Sequence, residues 1–161
     1  MFGLFKNKKN VLVVGAPLTG RLINIEEVPD EVFAGKMVGD GMAIEPVEGK
    51  VVSPVDGEVI QVFPTKHAIG IKSINGIEIL IHIGLETVSL DGKGFETHIN
   101  VGDEVKKGQL ILTFDLEYIK SNAKSTISPI VITNMDDLEK LEKMKSGEVS
   151  QSDVIMNITK K

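Results

Sequence analysis

The feature that most constrains this chain is a pair of β-branched, apolar runs on either side of Asn75-Gly76, spanning residues 66–84. Asn-Gly favours a two-residue type I′ hairpin, because both positions tolerate positive φ. A two-residue loop pairs Ile74 with Ile77, Ile69 with His82 and His67 with Gly84. Paired residues share a sheet face, so this register puts His67, Ile69, His82 and Gly84 on one side. His67 and His82 become diagonal neighbours with Cβ atoms roughly 7–8 Å apart, close enough for two imidazoles to meet. Gly84, opposite His67, is expected to leave open space there. A lone histidine on an apolar strand is most often structural, but a strong turn signal brings two of the chain's three together.

The surrounding sequence reads as short strands punctuated by glycine, proline and aspartate. The unit Ala16-Pro17-Leu18-Thr19-Gly20, followed by an alternating strand to Ile25, recurs in phase as Ser53-Pro54-Val55-Asp56-Gly57, followed by a strand to Val62. Two such Pro-x-x-Gly units predict a pseudo-symmetric sheet pair, too few for a solenoid. Helix is scarce. Leu116–Ala123 can form two turns capped by Asp115, and Met135, Leu138, Leu141 and Met144 fall at helical spacing. Phe95–Ile99, Leu110–Phe114 and Val154–Ile158 read as strands. The expected class is all-β, a sandwich or flattened barrel with one or two short helices.

A chain of 161 residues fits one domain, assigned here to residues 11–161. Residues 1–10 form a separate lead-in, apolar Met1–Phe5 followed by Lys6, Lys8 and Lys9, which fits a flexible tail or a short amphipathic segment touching a membrane surface. Its charges follow the apolar residues, the reverse of a secretory signal. No apolar run reaches the roughly 20 residues of a membrane-spanning helix. With net charge −5 and no basic stripe, nucleic acid is not an expected partner. The absence of cysteine removes disulfides, thiol nucleophiles and thiolate metal sites. Gly39-Asp40-Gly41 lacks the Gly-Lys-Ser/Thr of a phosphate-binding loop and opens a strand.

Neighbouring imidazoles suit three jobs: holding a metal, sharing a proton in acid–base work, or providing a nucleophile while the second ring hydrogen-bonds the transferred group. A metal site needs a third ligand; Glu86, four residues after His82, is an oxygen donor to consider but has no assured direction. Nucleophilic work needs one free ring nitrogen, with the other held by an acceptor. Thr65, alternating onto the face of His67, is the natural hydroxyl for such a site. Phosphoryl transfer through a phosphohistidine is the favoured reading among these. His98, between Thr97 and Ile99 with no turn to bring it near the pair, is read as surface or structural.

At this point the chain resembles a known family, the glucose-type enzyme IIA proteins of the bacterial phosphoenolpyruvate-dependent sugar phosphotransferase system. The resemblance rests on Ala16-Pro17-Leu18-Thr19-Gly20, Val32-Phe33-Ala34, Met37-Val38-Gly39-Asp40-Gly41, Ser53-Pro54-Val55-Asp56-Gly57, Thr65-Lys66-His67-Ala68, Ile81-His82-Ile83-Gly84-Leu85-Glu86-Thr87-Val88 and Val131-Ile132-Thr133-Asn134-Met135. It covers about residues 11–159 in order. The likeness implies an antiparallel β-sandwich with the pair in a shallow depression. It implies that His82 accepts phosphate from the phosphocarrier protein HPr and passes it to a cysteine of a sugar-specific IIB domain. It implies that His67 assists by hydrogen bonding, that Thr65 supports His67, and that Phe33, Phe63 and Val88 form an apolar rim. Glu86 stands where some members carry aspartate, so the charge is kept and its reach differs.

The chain has no thiol, so the implied acceptor cysteine lies on another chain or domain. The resemblance further implies a cytoplasmic protein meeting partners transiently, in places at the inner face of the membrane, with no metal at rest. In some members a partner's carboxylate shares a zinc ion with the histidine pair, and some bind regulatory targets. The competing reading is a biotinyl or lipoyl carrier, suggested by Val101–Leu110. A carrier needs a lysine at a tight hairpin tip, where this chain has Asn75-Gly76.

Overall fold

Fourteen strands and two short helices follow one another among residues 10–161, the part of the chain that the computed structural model describes. In chain order they are β1 (Val11–Gly15), β2 (Gly20–Asn24), α1 (Glu31–Ala34), β3 (Asp40–Pro46), β4 (Lys50–Val52), β5 (Gly57–Val62), β6 (Ala68–Ser73), β7 (Glu78–His82), β8 (Phe95–Thr97), β9 (Glu104–Val105), β10 (Leu110–Phe114), α2 (Leu116–Asn122), β11 (Ser128–Ile132), β12 (Leu138–Lys143), β13 (Gly147–Val149) and β14 (Val154–Lys160). Every strand pairing among them is antiparallel. Of the lead-in at residues 1–10, all but Asn10 lie outside the described residues.

The Pro-x-x-Gly units start strands for a shared steric reason. A Cβ on Gly20 would collide with the Glu45 carbonyl of β3, and one on Gly57 with the Lys72 carbonyl of β6. Only glycine lets the neighbouring strand approach there. The units also bond to each other reciprocally. The Gly15 N–H donates to the Pro54 carbonyl at 3.0 Å, and the Val52 N–H donates to the Pro17 carbonyl at 2.9 Å.

The large sheet carries this pseudo-symmetry through its whole width, with order β13-β2-β3-β11-β7-β6-β5-β9. Each half has a short edge strand, then a Pro-x-x-Gly strand, then its hairpin partner. The two halves meet where β11 pairs with β7. Two three-stranded sheets, β1-β14-β12 and β4-β10-β8, complete the fold. None of the three orders closes on itself, so the sandwich form holds and the barrel does not. One buried apolar cluster draws on all three sheets, through Val14 and Ile158, Val51 and Leu112, and Ile69 and Ile79. A second cluster, with Ile25, Phe33, Ala43, Leu85 and Val131 buried in it and Leu80 packed on it, covers the other face of the large sheet.

The helix expected at Leu116 is present, with Asp115 accepting from the Tyr118 N–H at 3.1 Å. The helix expected over Met135–Met144 is not. Met135–Asp137 is one 3-10 turn, and Leu138–Lys143 is strand β12. Its pairing with β14 shifts between Leu138 and Lys140. That bulge absorbs one residue, so Leu138 and Leu141, three apart, both turn toward the core and mimic helical spacing. The second short helix is instead α1, capped by Asp30, whose carboxylate accepts from the Val32 N–H at 2.9 Å.

Candidate functional site

The hairpin forms, but its register is one residue away from the expected one. His82 pairs with Ala68 and Ile69 with Ile81. The loop has three residues, Ile74–Gly76, not two. The Gly76 N–H donates to the Ser73 carbonyl at 2.9 Å, Gly76 takes φ +90°, and the Ser73 N–H donates to the Ile77 carbonyl at 2.8 Å. The Ser73 hydroxyl accepts from the Ile77 N–H at 2.9 Å, closing the ladder one residue earlier than Asn-Gly alone would. A turn followed by a left-handed glycine is the common three-residue hairpin loop.

Strict alternation in this register would send His67 and His82 to opposite faces. They meet nonetheless, with ring centroids 4.8 Å apart and planes at 81°. His67 escapes the alternation because it precedes β6 and follows Lys66, whose φ is +62°. The left-handed residue turns the chain at the strand's entry, so the rule of two does not reach His67. The pair is brought together by the connection between β5 and β6, residues 63–67.

That connection also supplies the neighbours of His67. Thr65 Oγ1 lies 2.6 Å from His67 Nδ1, and the Phe63 ring stands edge-on at 5.3 Å between centroids. His67 is 3% exposed, whereas His82 is partly open to solvent. On the other side of His82 the Phe33 ring of α1 lies 4.9 Å away. Glu86 and Val88 fall on the exposed loop just after β7, where Glu86 takes a left-handed conformation and Thr87–Leu90 forms a 3-10 turn. Val88 is 57% exposed. His98 is on the surface, with Nε2 2.9 Å from Thr113 Oγ1.

Gly84 does not open space opposite His67. The partner of His67 is Ile83, whose N–H donates to the His67 carbonyl at 2.7 Å. A Cβ on Gly84 would meet the Thr87 methyl at 2.7 Å and the Ser125 carbonyl at 2.8 Å. The glycine is required instead for φ +70°, which aims its own carbonyl at His82 Nδ1, 2.8 Å away. A carbonyl can only accept, so Nδ1 carries the proton and Nε2 of the neutral ring keeps its lone pair. Sequence reasoning missed this acceptor, because the sequence does not say which glycine takes positive φ.

Burial favours the neutral form of both rings. Burial pushes His67 down to about 4, and the repulsion of a charged His82 adds to it. Burial also lowers His82, opposed by the Gly84 carbonyl and by the negative charge of Asp30. Asp30 was not legible as a site residue, although Pro29-Asp30-Glu31 is a helix-start signal. Among the described residues, no group of three or more His, Asp or Glu side chains is placed to hold a metal ion. The site thus offers one neutral, oriented imidazole nitrogen beside a second imidazole, between two phenylalanines.

The chain is similar to known proteins along most of its length. A family model described as the phosphoenolpyruvate-dependent sugar phosphotransferase system, EIIA 1, matches residues 12–138. The PTS system glucose-specific EIIA component of Bacillus cereus is 58% identical over 142 residues, covering 88% of this chain and 86% of that protein. The protein of the same description from Staphylococcus epidermidis is 51% identical over 162 residues, covering 98% of each. Among solved structures, glucose permease IIA from Mycoplasma capricolum matches with a TM-score of 0.87 at 46% identity, covering 91% of this chain and 95% of that one.

Proposed function

The chain belongs to the EIIA 1 family of the phosphoenolpyruvate-dependent sugar phosphotransferase system, and on that premise we propose that His82 is its phosphate acceptor. As a family member it is a phosphotransferase component that works with a phosphocarrier and a sugar-specific permease component. The observation that supports His82 is the Gly84 carbonyl on its Nδ1, which leaves Nε2 as the free nucleophile. The lone pair on Nε2 attacks the phosphorus of a phosphohistidine on HPr. The donor's N–P bond breaks, and its electron pair returns to the donor nitrogen. Positive charge that builds on the His82 ring is met by the Gly84 carbonyl and by Asp30. In the second step a thiolate on the sugar-specific IIB domain attacks phosphorus and the bond to Nε2 breaks.

His67 is the hydrogen-bonding assistant in this reading. A Thr65 hydroxyl donating to His67 Nδ1 leaves the ring proton on Nε2, ready to donate to a phosphoryl oxygen. Phe33, Phe63 and Val88 form the apolar rim that a partner covers, with Glu86 at its edge. Covering the depression excludes water, which protects the labile N–P bond from hydrolysis. Glucose-type sugars are the proposed cargo of the relay, and the cytoplasm, with transient visits to the inner membrane face, its place of work. Among the described residues no helix is long and apolar enough to cross a membrane. Transfer through an imidazole calls for no cofactor. The two histidines could also share zinc with a partner's carboxylate, since they supply only part of a ligand set.

Incubation with the general phosphotransferase proteins and radiolabelled phosphoenolpyruvate tests the assignment. The wild type takes up an acid-labile label, and His82→Ala takes up none. Label of equal amount in His82→Ala would overturn it.

A further inference from the structure

Six polar side chains are buried among the described residues, and four of them, His67, Thr87, Thr126 and Ser128, belong to the site or its surroundings. A buried polar group is costly unless its hydrogen bonds are made. The bonds made by Thr87 and Ser128 converge on one peptide plane, the first of the two that flank Gly84. In the plane joining Ile83 to Gly84, the carbonyl accepts from Thr87 Oγ1 at 2.6 Å, and the N–H donates to Ser128 Oγ at 3.1 Å. The Ser128 hydroxyl in turn donates to the Thr126 carbonyl at 2.9 Å, which fixes its lone pairs toward Gly84. In the plane joining Gly84 to Leu85, the N–H donates to the Ser125 carbonyl at 2.9 Å, and the carbonyl accepts from His82 Nδ1 at 2.8 Å. Both planes are therefore held at both ends, and the left-handed Gly84 is the joint between them.

We propose that Ser128 and Thr87 are positioning residues for His82, acting through the Gly84 backbone to fix the proton on Nδ1 and keep Nε2 as the nucleophile. Neither hydroxyl hydrogen-bonds either imidazole; each holds the peptide whose geometry aims the Gly84 carbonyl. Hydrogen bonds in series polarise one another, so the Ser125 carbonyl, the Leu85 amide and the Gly84 carbonyl form a better acceptor than an isolated peptide. If the first plane is released, Gly84 can rotate, its carbonyl leaves Nδ1, and the His82 proton is free to move to Nε2. That tautomer has no lone pair at the reacting position. This inference rests on the reading of His82 as the phosphate acceptor.

The test uses the full chain labelled with nitrogen-15 in its histidines. Long-range proton–nitrogen spectra report which ring nitrogen carries hydrogen, independently of any phosphate transfer. The wild type is expected to show His82 as the Nδ1–H tautomer alone. Ser128→Ala should show a mixture with the Nε2–H form, and its rate of labelling by phospho-HPr should fall roughly 10- to 100-fold, the range seen when a group that orients a functional histidine is lost at metal sites. Thr87→Val, which keeps the shape and removes the hydroxyl, should move both readouts the same way by less. Ser128→Thr should restore both. A loss of melting temperature with wild-type tautomer and wild-type rate in Ser128→Ala and Thr87→Val would overturn the proposal and leave these hydroxyls as structural. If Ser128→Ala does not fold, Thr87→Val and Ser128→Thr decide the question by the same two readouts. No label in the wild type, with the tautomer change still present in Ser128→Ala, would instead overturn the assignment of His82 as acceptor.

Discussion

The β2–β3 and β5–β6 pairs are one unit built twice, and they differ in what joins their strands. Both start at a Pro-x-x-Gly glycine pressed against the neighbouring strand's carbonyl. Residues 25–39 join the first pair and include a 3-10 turn and α1, while residues 63–67 join the second. The connections leave opposite ends of the sheet, since β6 begins beside His82 whereas β3 begins beside Ile132, which pairs with Ile79. The long one packs over the outer face and delivers Phe33 to one side of His82. The short one turns at Lys66 and delivers His67 to the other. Symmetry in the strands thus builds the platform, and asymmetry in the connections builds the site.

If the short connection supplies chemistry and the long one supplies cover, their substitutions should fail differently. The largest effect on phosphate transfer belongs to the short connection. His67→Ala should still accept phosphate but pass it to the IIB cysteine roughly 10²-fold more slowly, as loss of one donor to a transferring group commonly costs. Single-turnover transfer to a IIB domain measures it. Phe33→Ala, in the long connection, should instead cost about 3–5 kcal/mol of stability by chemical denaturation. Water admitted to His82 should raise its pKa back toward 6.5 in an NMR titration, because burial is the main cause of its lowering.

Acid sharpens the contrast further. Folding holds His67 neutral with a pKa near 4, against an ordinary 6.5 in the unfolded chain. The unfolded state therefore binds the extra proton first. The stability tied to this group is whole above pH 6.5 and drains away as pH falls to about 4, by roughly 3 kcal/mol. Denaturation of wild type and His67→Gln across that window should show the wild type losing more by about that amount, and parallel curves would contradict it. The smallest effect probes the shared platform. Gly20→Ala and Gly57→Ala should each destabilise by about 1–3 kcal/mol and to a similar extent, because each drives a methyl into an equivalent carbonyl. A large cost at one and none at the other would break the comparison.

The platform was legible because its signals are steric and local. Pro-x-x-Gly, β-branched alternation and the Asp115 cap each marked an element that is present. The register differs by one residue from the one Asn-Gly predicts, since a serine hydroxyl at position 73, not the dipeptide alone, sets where the ladder closes. The histidines meet for a reason that alternation could not supply, a left-handed lysine just outside the strand. A second repeat is visible only in the structure, because its two copies share few residues. Glu104–Leu110 and Glu148–Val154 occupy matching places, with Gly108 and Ser152 both at positive φ. The Gly108 N–H donates to the Ser53 carbonyl as the Ser152 N–H does to that of Ala16. Glycine at one position and serine at the other hides that equivalence from the sequence.

The most direct test of the central claim is to locate the phosphate atom by atom. Phosphorus and nitrogen NMR of the chain phosphorylated by phospho-HPr, with nitrogen-15 histidines, reports the bonded ring nitrogen and its residue. The geometry predicts a single bond, at Nε2 of His82, with Nδ1 still protonated and facing Gly84. Phosphate on Nδ1, or on His67, would contradict it.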